Sequence, residues 1–432
     1  MFYLEKKEDW TIKAGIALMV VSNFASNLGL YGGRTSPAIL IECLILTAIT
    51  VVLYRNHIIR NRIPVFLLVI LWGIGVSFAI AGIVYRVPTY LIDAIIFIFQ
   101  FPFFLACIRL KDLETVVKSF SWSYAICFCI CFCISVVISP LTGGQYYGIF
   151  NNPNLFGENL TMAVLCIIFL IEQCTLNCRK KQRVFLLVLF GIAVALIVFT
   201  RSRTSVLSLG LISLVYLIYL IRHKNEIVKR VLILVIAVAV LLPASYGMLM
   251  KVTPLICEHT GVTFDTKEQS SEVAIAGDLS SEVKKSYSRM FKGLSGNGSF
   301  TSGRSEIWAT YLSEVSFCGH APDYLEIVYH GKIIKANSHN TFIQVTYQAG
   351  CIAGILFFIF IIGIWVISIR ILFKEKLDFY YFFAIACIWN AIPYLLLSNN
   401  LGPYSSFTMT SFWIISVPVV CFKFNRLKKS NE

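Results

Sequence analysis

Long uninterrupted apolar blocks limit this chain more than any other feature; examples run from Val184 to Phe199 and from Val231 to Leu242. A helix needs about 20 mostly apolar residues to cross roughly 30 Å of hydrocarbon. Only helices and closed barrels satisfy their backbone groups there, and these blocks lack the apolar–polar alternation of a barrel. They predict an all-α polytopic membrane protein of about twelve spans. The spans fall near 12–31, 36–54, 64–85, 90–107, 117–139, 155–173, 183–199, 204–221, 230–250, 340–369, 378–397 and 404–422. Composition agrees: 57% of the 432 residues are hydrophobic and 14% are charged, against about 25% charged in soluble domains. The first block is too long for the h-region of a cleaved signal peptide, and no small-residue cleavage site follows it.

Basic residues set the orientation. With a cytoplasmic N-terminus, inner loops and tail hold clusters such as Arg179, Lys180, Lys181 and Arg183, or Lys423, Arg426, Lys428 and Lys429. That side collects 24 of the 37 lysines and arginines. Short outer loops hold only Arg34, Arg86, Arg201 and Arg203, and the rest lie in one long outer segment. The net charge of +14 is thus a topology signal rather than a nucleic-acid footprint. Both termini are expected in the cytoplasm. Most of the 14 cysteines sit within spans, as small apolar residues do. Cys257 and Cys318 both fall in the outer segment, and the sequence leaves their pairing open.

The expected organisation is spans one to nine over 1–250, an extracytoplasmic loop over 251–339, spans ten to twelve over 340–422 and a cytoplasmic tail over 423–432. Loops this long are usually functional or disordered. Residues 265–292 read as polar with mixed charge, and the Gly/Ser stretch 293–303 as a flexible connection. Ser302 is a candidate N-cap. Beyond it Ile307, Trp308, Tyr311, Leu312 and Val315 recur at helical spacing. This predicts an amphipathic helix near 302–316, on the outer membrane surface or on the outer ends of the spans. No soluble domain or internal repeat is evident.

Three groups of residues carry possible chemistry, all on the outer side. Arg201 and Arg203 sit in a connection so short that both lie near the membrane surface. Guanidinium forks there suit phosphate oxygens, or simply reach for water. Arg304 opens the loop helix, where a cation opposes the dipole unless an anion joins it. His339 precedes the tenth span, with Asn340 as a candidate N-cap. Asn340, Gln344, Tyr347 and Gln348 form a polar stripe at helical spacing, which normally faces a cavity or the bundle interior. A histidine at its mouth can accept a proton near neutral pH. Glu42 and Asp93 lie within spans and are costly unless paired or hydrated. Asn151, Asn152, Asn154 and Glu158 open the sixth span from outside. No metal-ligand cluster, serine triad or nucleotide loop is visible, and no cofactor is expected.

From about Asn151 to the eleventh span the chain resembles the O-antigen ligase and polymerase superfamily of bacterial envelope glycosyltransferases. The resemblance rests on Asn152-Pro153-Asn154, Thr200-x-Ser202-Arg203, Ser302-Gly303-Arg304-x-x-Ile307-Trp308 and His339-Asn340, with Gly350 following. It implies a metal-independent transferase of the bacterial inner membrane. Its donor would be a glycan on undecaprenyl diphosphate and its acceptor a glycan hydroxyl at the outer face. The resemblance makes Arg203 and Arg304 diphosphate ligands, with Arg201 as a helper. His339 becomes the group that activates the acceptor or orients the donor. Asn154, Asn340, Gln344 and Tyr347 would line the substrate site. A glycine-rich stretch common after the loop helix is replaced here by Cys318-Gly319-His320-Ala321-Pro322, which makes His320 a second candidate. A chain-length regulator and a flippase would be further partners. A capsule, exopolysaccharide or O-antigen polymerase is favoured, because the loop before His339 looks more like that of polymerase members. A ligase to a lipid or protein acceptor is the close alternative, and a twelve-helix glycan flippase is the rival of another class.

Overall fold

The computed structural model describes residues 13–14, 16–21, 24–25, 65–102, 110–141, 144–150, 152–223, 226–261, 279–291, 304–321, 325–329, 332–374, 379–398 and 407–417. The expected second span, half of the first, Glu42, Asn151 and the stretch 293–303 with Ser302 lie outside them. Among the described residues eight helices are long and apolar enough to cross a membrane, where about twelve spans were expected. The chain divides into two compact units, Met1–Val52 with Glu114–Lys292 and Leu53–Leu113 with Gly293–Glu432.

The first unit is built around a helix with no solvent face. Its helices are α3 (Leu110–Ile138, in this unit from Glu114), α4 (Pro153–Leu176), α5 (Lys180–Thr200), α6 (Arg203–Arg222), α7 (Ile227–Gly247), α8 (Thr253–Thr260) and α9 (Leu279–Phe291). Asn152 starts α4, its side chain accepting from Leu155 N at 2.8 Å, and Pro153 supplies a preset φ at the first position. Every residue of α4 from Phe156 to Glu172 is buried. α4 carries two acidic side chains into the core, and both find company. Glu172 accepts from Tyr216 Oη at 2.6 Å and pairs with Arg230. Glu158 is also buried, near the start of the helix.

α7 is the opposite case. Beyond Arg230 its residues up to Leu242 are apolar all round, yet Leu232, Val235, Ile236 and Val240 are exposed. A helix with an apolar face and no protein to cover it belongs against lipid. It continues through a π turn, Met248–Val252, into α8, and ends at Gly261 with a φ of 66°. Residues 251–260, expected at the start of the extracytoplasmic loop over 251–339, are thus helical. Within it, α9 occupies residues that read as polar and mixed in charge.

The second unit comprises α1 (Val65–Val84), α2 (Pro88–Ile95), α10 (Arg304–Ser313), strands β1 (Leu325–Tyr329) and β2 (Lys332–Ala336), α11 (Thr341–Ala349), α12 (Cys351–Lys374), α13 (Phe379–Leu397) and α14 (Phe407–Ser411). α1 is apolar on both faces: Leu67, Leu71, Ile74 and Phe78 are buried, while Phe66, Val69, Trp72 and Val76 are exposed. Trp413 centres this unit's core, stacked on Phe101 at 3.7 Å and on Phe360 at 5.2 Å.

Three expected elements differ here. The fourth span, expected over 90–107, is α2 followed by a π turn, Ile96–Gln100. The tenth, expected as one helix over 340–369, is two. Gly350 (φ 92°, ψ 167°) breaks it, and Cys351 N donates to Ser316 O at 3.1 Å in the gap. The all-α expectation also misses a hairpin. β1 pairs antiparallel with β2, Ile327 opposite Ile334 and Glu326 opposite Lys335. The loop helix, expected near 302–316, is described over Arg304–Ser313. Its Ile307 and Tyr311 are buried with Ile327 and Tyr347.

Candidate active site

The turn before α11 is held from several directions. Asn340 caps α11, its Oδ1 accepting from Ile343 N at 3.1 Å, as the sequence predicts. Its Nδ2 donates to Leu396 O at 3.0 Å, and Thr341 Oγ1 donates to Ser398 O at 3.0 Å. Arg304 Nη1 donates to Leu397 O at 2.8 Å. Three side chains thus satisfy successive carbonyls at the C-terminal end of α13, which would otherwise be orphaned. A cation at the start of α10 is unfavourable to that helix's dipole, and its place at the end of α13 is favourable. The fold offsets one with the other.

His339 stands between these contacts with a φ of 48°, a left-handed conformation uncommon for a residue with a Cβ. The surrounding peptides hold it there. Ser338 N donates to Gln344 Oε1 at 3.1 Å, Trp308 Nε1 donates to Ser338 O at 2.8 Å, and His339 N donates to Asn337 Oδ1 at 3.0 Å. Burial, and then the positive charge of Arg304, hold the His339 imidazole below the ordinary histidine value. The polar stripe on α11 is therefore largely committed to the protein. Gln344 is buried and holds the turn, and Tyr347 is buried with its hydroxyl 3.1 Å from His320 Nδ1.

His320 lies in an aromatic setting. Its ring is stacked between Tyr347 (5.0 Å) and Tyr85 (6.0 Å), and Tyr90 Oη donates to its carbonyl at 3.0 Å. Its Nδ1 is 2.7 Å from Ala321 O, an oxygen that can only accept. A hydrogen bond there requires a proton on Nδ1. Gly319 brings this turn against α11: its φ is 84°, and a Cβ there would collide with the Gln348 carbonyl.

In the first unit the expected group Asn154, Arg201 and Arg203 gathers at the turn from α5 to α6. Ser202 Oγ donates to Asn154 Oδ1 at 3.1 Å and caps α6 by accepting from Ser205 N at 3.4 Å. Arg201 adopts a left-handed conformation (φ 52°) and is only 9% exposed, while Arg203 is the first residue of α6 and half-buried. Gln145 Nε2 donates to Thr200 O at 3.1 Å and Tyr146 N to Phe199 O at 3.0 Å, so the segment before α4 satisfies the end of α5. Cationic side chains at a helix N-terminus, one of them nearly buried, favour an anionic ligand there.

Sequence reasoning missed Asn337, Gln145, Tyr85 and Tyr90. Only Asn337, an Asx residue before a capped helix, carried a local signal. Cys257 and Cys318 are both free thiols. Among the described residues no group of three His, Cys, Asp or Glu is placed to hold a metal ion.

Fold and exposed apolar faces together define a polytopic helical membrane protein. Residues 185–358 match the family model described as O-antigen ligase. The match includes every site residue named above from Arg201 to Gly350, and Asn154 lies before it. No curated protein and no solved structure matches the chain.

Proposed function

We propose that the protein is a membrane glycosyltransferase that extends or transfers a glycan carried on undecaprenyl diphosphate, with its site at the outer face of the inner membrane. The observation that carries the reading is His339. Its ring is held neutral by burial and by Arg304, and its backbone is locked by Ser338, Asn337, Gln344 and Trp308. A neutral imidazole fixed in place is suited to accept a proton from a hydroxyl. In the proposed step the acceptor oxygen bonds to the anomeric carbon. The bond from that carbon to the diphosphate oxygen breaks, and the diphosphate leaves with the electron pair. The hydroxyl proton passes to His339.

Arg304 and Arg203 take the role of stabilising the negative charge that develops on the diphosphate, and Arg201 assists. Asn154 supports the turn carrying Arg203 through Ser202, and Asn340 and Gln344 support that of His339. Tyr347 and His320 belong to the same proposed substrate region. The polymerase reading is preferred to the ligase reading on the loop before His339. A flippase or a chain-length regulator would act beside the enzyme.

The test is a purified-protein assay in detergent, where no membrane sides exist. Lengthening of a lipid-linked glycan supports a polymerase, and transfer to a lipid acceptor supports a ligase. Arg203→Ala, Arg304→Ala and His339→Ala are each expected to lower turnover by about a hundredfold or more while the protein still reaches the membrane. Full-length polymer from all three variants would sink the reading, and movement of the lipid across liposomes without any transfer would favour a transporter.

A further inference from the structure

The stretch between α3 and α4 forms no helix where it is described, yet Leu141 and residues 146–150 are buried. Buried backbone outside regular structure has to find its partners one by one, and this stretch does. Leu141 N donates to Leu249 O at 3.2 Å and Tyr146 N to Phe199 O at 3.0 Å. Ser139 Oγ donates to Gly148 O at 3.1 Å, and Tyr146 Oη to Ser139 O at 3.3 Å. Gly148 takes a φ of 55°, and a Cβ there would meet Ser135 Oγ at 2.6 Å. Phe150 stacks on Phe156 of α4 at 4.9 Å. The stretch is thus fixed against α3, α4, α5 and the π turn after α7, and it presents Gln145 to the turn that carries Arg201 and Arg203.

Gln145 is half-buried, and its Nε2 donates to Thr200 O at 3.1 Å. A carbonyl only accepts, so the amide nitrogen faces Thr200 and the amide oxygen is left over. Among the described residues Oε1 has no hydrogen-bond partner. The turn holds without this amide: Phe199 O is taken by Tyr146 N, and Ser202 Oγ donates to Asn154 Oδ1 at 3.1 Å. Gln145 therefore sets a neutral acceptor at the residue before Arg201. An ionised diphosphate has no proton to give that oxygen. A ligand that uses both the arginines and the amide oxygen must carry an anion with a hydroxyl close beside it. A sugar bonded to a diphosphate supplies both.

We propose that Gln145 is a specificity-determining residue, whose Oε1 accepts a hydrogen bond from a hydroxyl of the sugar directly attached to the diphosphate. It distinguishes the loaded carrier lipid from the bare diphosphate that remains after transfer. This role rests on the diphosphate reading of the arginine turn. The experiment is isothermal titration calorimetry of the full-length protein in detergent, with undecaprenyl diphosphate bare or carrying one glucose, galactose or N-acetylglucosamine. At least one sugar-bearing lipid is expected to bind the parent about tenfold more tightly than the bare lipid. Gln145→Leu is expected to remove that gain and to leave the affinity for the bare lipid as in the parent, which also shows that the turn is intact. Arg203→Ala is expected to weaken bare and sugar-bearing lipids alike. Equal weakening of both by Gln145→Leu overturns the proposal, because the amide then only holds the arginine turn. So does a parent with no gain for any of the three sugars, or a gain that survives Gln145→Leu. If Arg203→Ala changes neither lipid while Gln145→Leu still removes the gain, the diphosphate reading fails and the sugar contact stands.

Discussion

His339 owes its properties to neighbours rather than to its own sequence position. Burial and the Arg304 guanidinium both disfavour the imidazolium, so its folded pKa lies below the ordinary value of 6.5. A reaction that needs the neutral ring gains rate as pH rises through that lowered pKa and is flat above it. Replacing Arg304 with Gln removes the repulsion, raises the His339 pKa and moves the acidic limb of kcat to higher pH. A pH–rate profile of Arg304→Gln checks this, and a limb that stays in place would mean that another group titrates. Positioning is testable as well. Trp308→Phe keeps the ring but loses the donor to Ser338 O, and Gln344→Leu leaves the Ser338 N–H without its acceptor. Each costs about 1–3 kcal/mol at the turn, expected as a roughly tenfold or greater loss in kcat with KM little changed. The candidates themselves were legible in the sequence, because an arginine in a short outer loop and a histidine before a polar stripe are local facts. That Gln344 and Tyr347 face the protein's own turns was not legible, since their partners Ser338 and His320 are brought to them by folding.

At the scale of elements, the break between α11 and α12 explains two glycines. Gly350 and Gly319 have φ of 92° and 84°, and a Cβ on either would strike backbone: the Phe317 carbonyl for Gly350 and the Gln348 carbonyl for Gly319. Left-handed strain and the collision act together. Gly350→Ala and Gly319→Ala are therefore expected to destabilise the protein by more than about 2 kcal/mol. Gly363→Ala, in the middle of α12 with open space around it, is expected to be neutral or stabilising by up to about 1 kcal/mol. Thermal melting of the three variants in detergent checks the contrast. A melting loss for Gly363→Ala equal to the others would remove the geometric explanation. Two elements carried signals that the sequence reading passed over. Apolar and β-branched residues flank His330-Gly331, a short turn pair for a hairpin. Leu279, Val283 and Tyr287 mark α9 by their spacing. Both lie in a polar segment, where a few apolar residues are easily outweighed by the charges around them.

At the scale of the molecule, two exposed cysteines test the sidedness. Cys178 lies between α4 and α5 and Cys318 after α10. With the orientation set by the basic loops, an impermeant thiol reagent added to intact cells whose outer membrane is permeabilised labels Cys318 and spares Cys178, read by peptide mass spectrometry. The reverse pattern would invert the topology. What the sequence determined by itself was the solvent. Apolar blocks of span length, and charges gathered in alternate connections, are properties of contiguous residues, and the hydrophobic effect acts on them wherever the chain goes. The same local logic made Asn340 recognisable as a helix cap. Tertiary structure decided which faces meet lipid and which meet protein: α4 and α7 are both apolar, yet one is buried throughout and the other exposed. It also decided what the polar groups do. Arg304 reaches a carbonyl 93 residues away, and Asn340 and Thr341 reach carbonyls 56 and 57 residues away. Hydrogen bonds need partners within about 3 Å, and over such separations only the packed helices bring them that close.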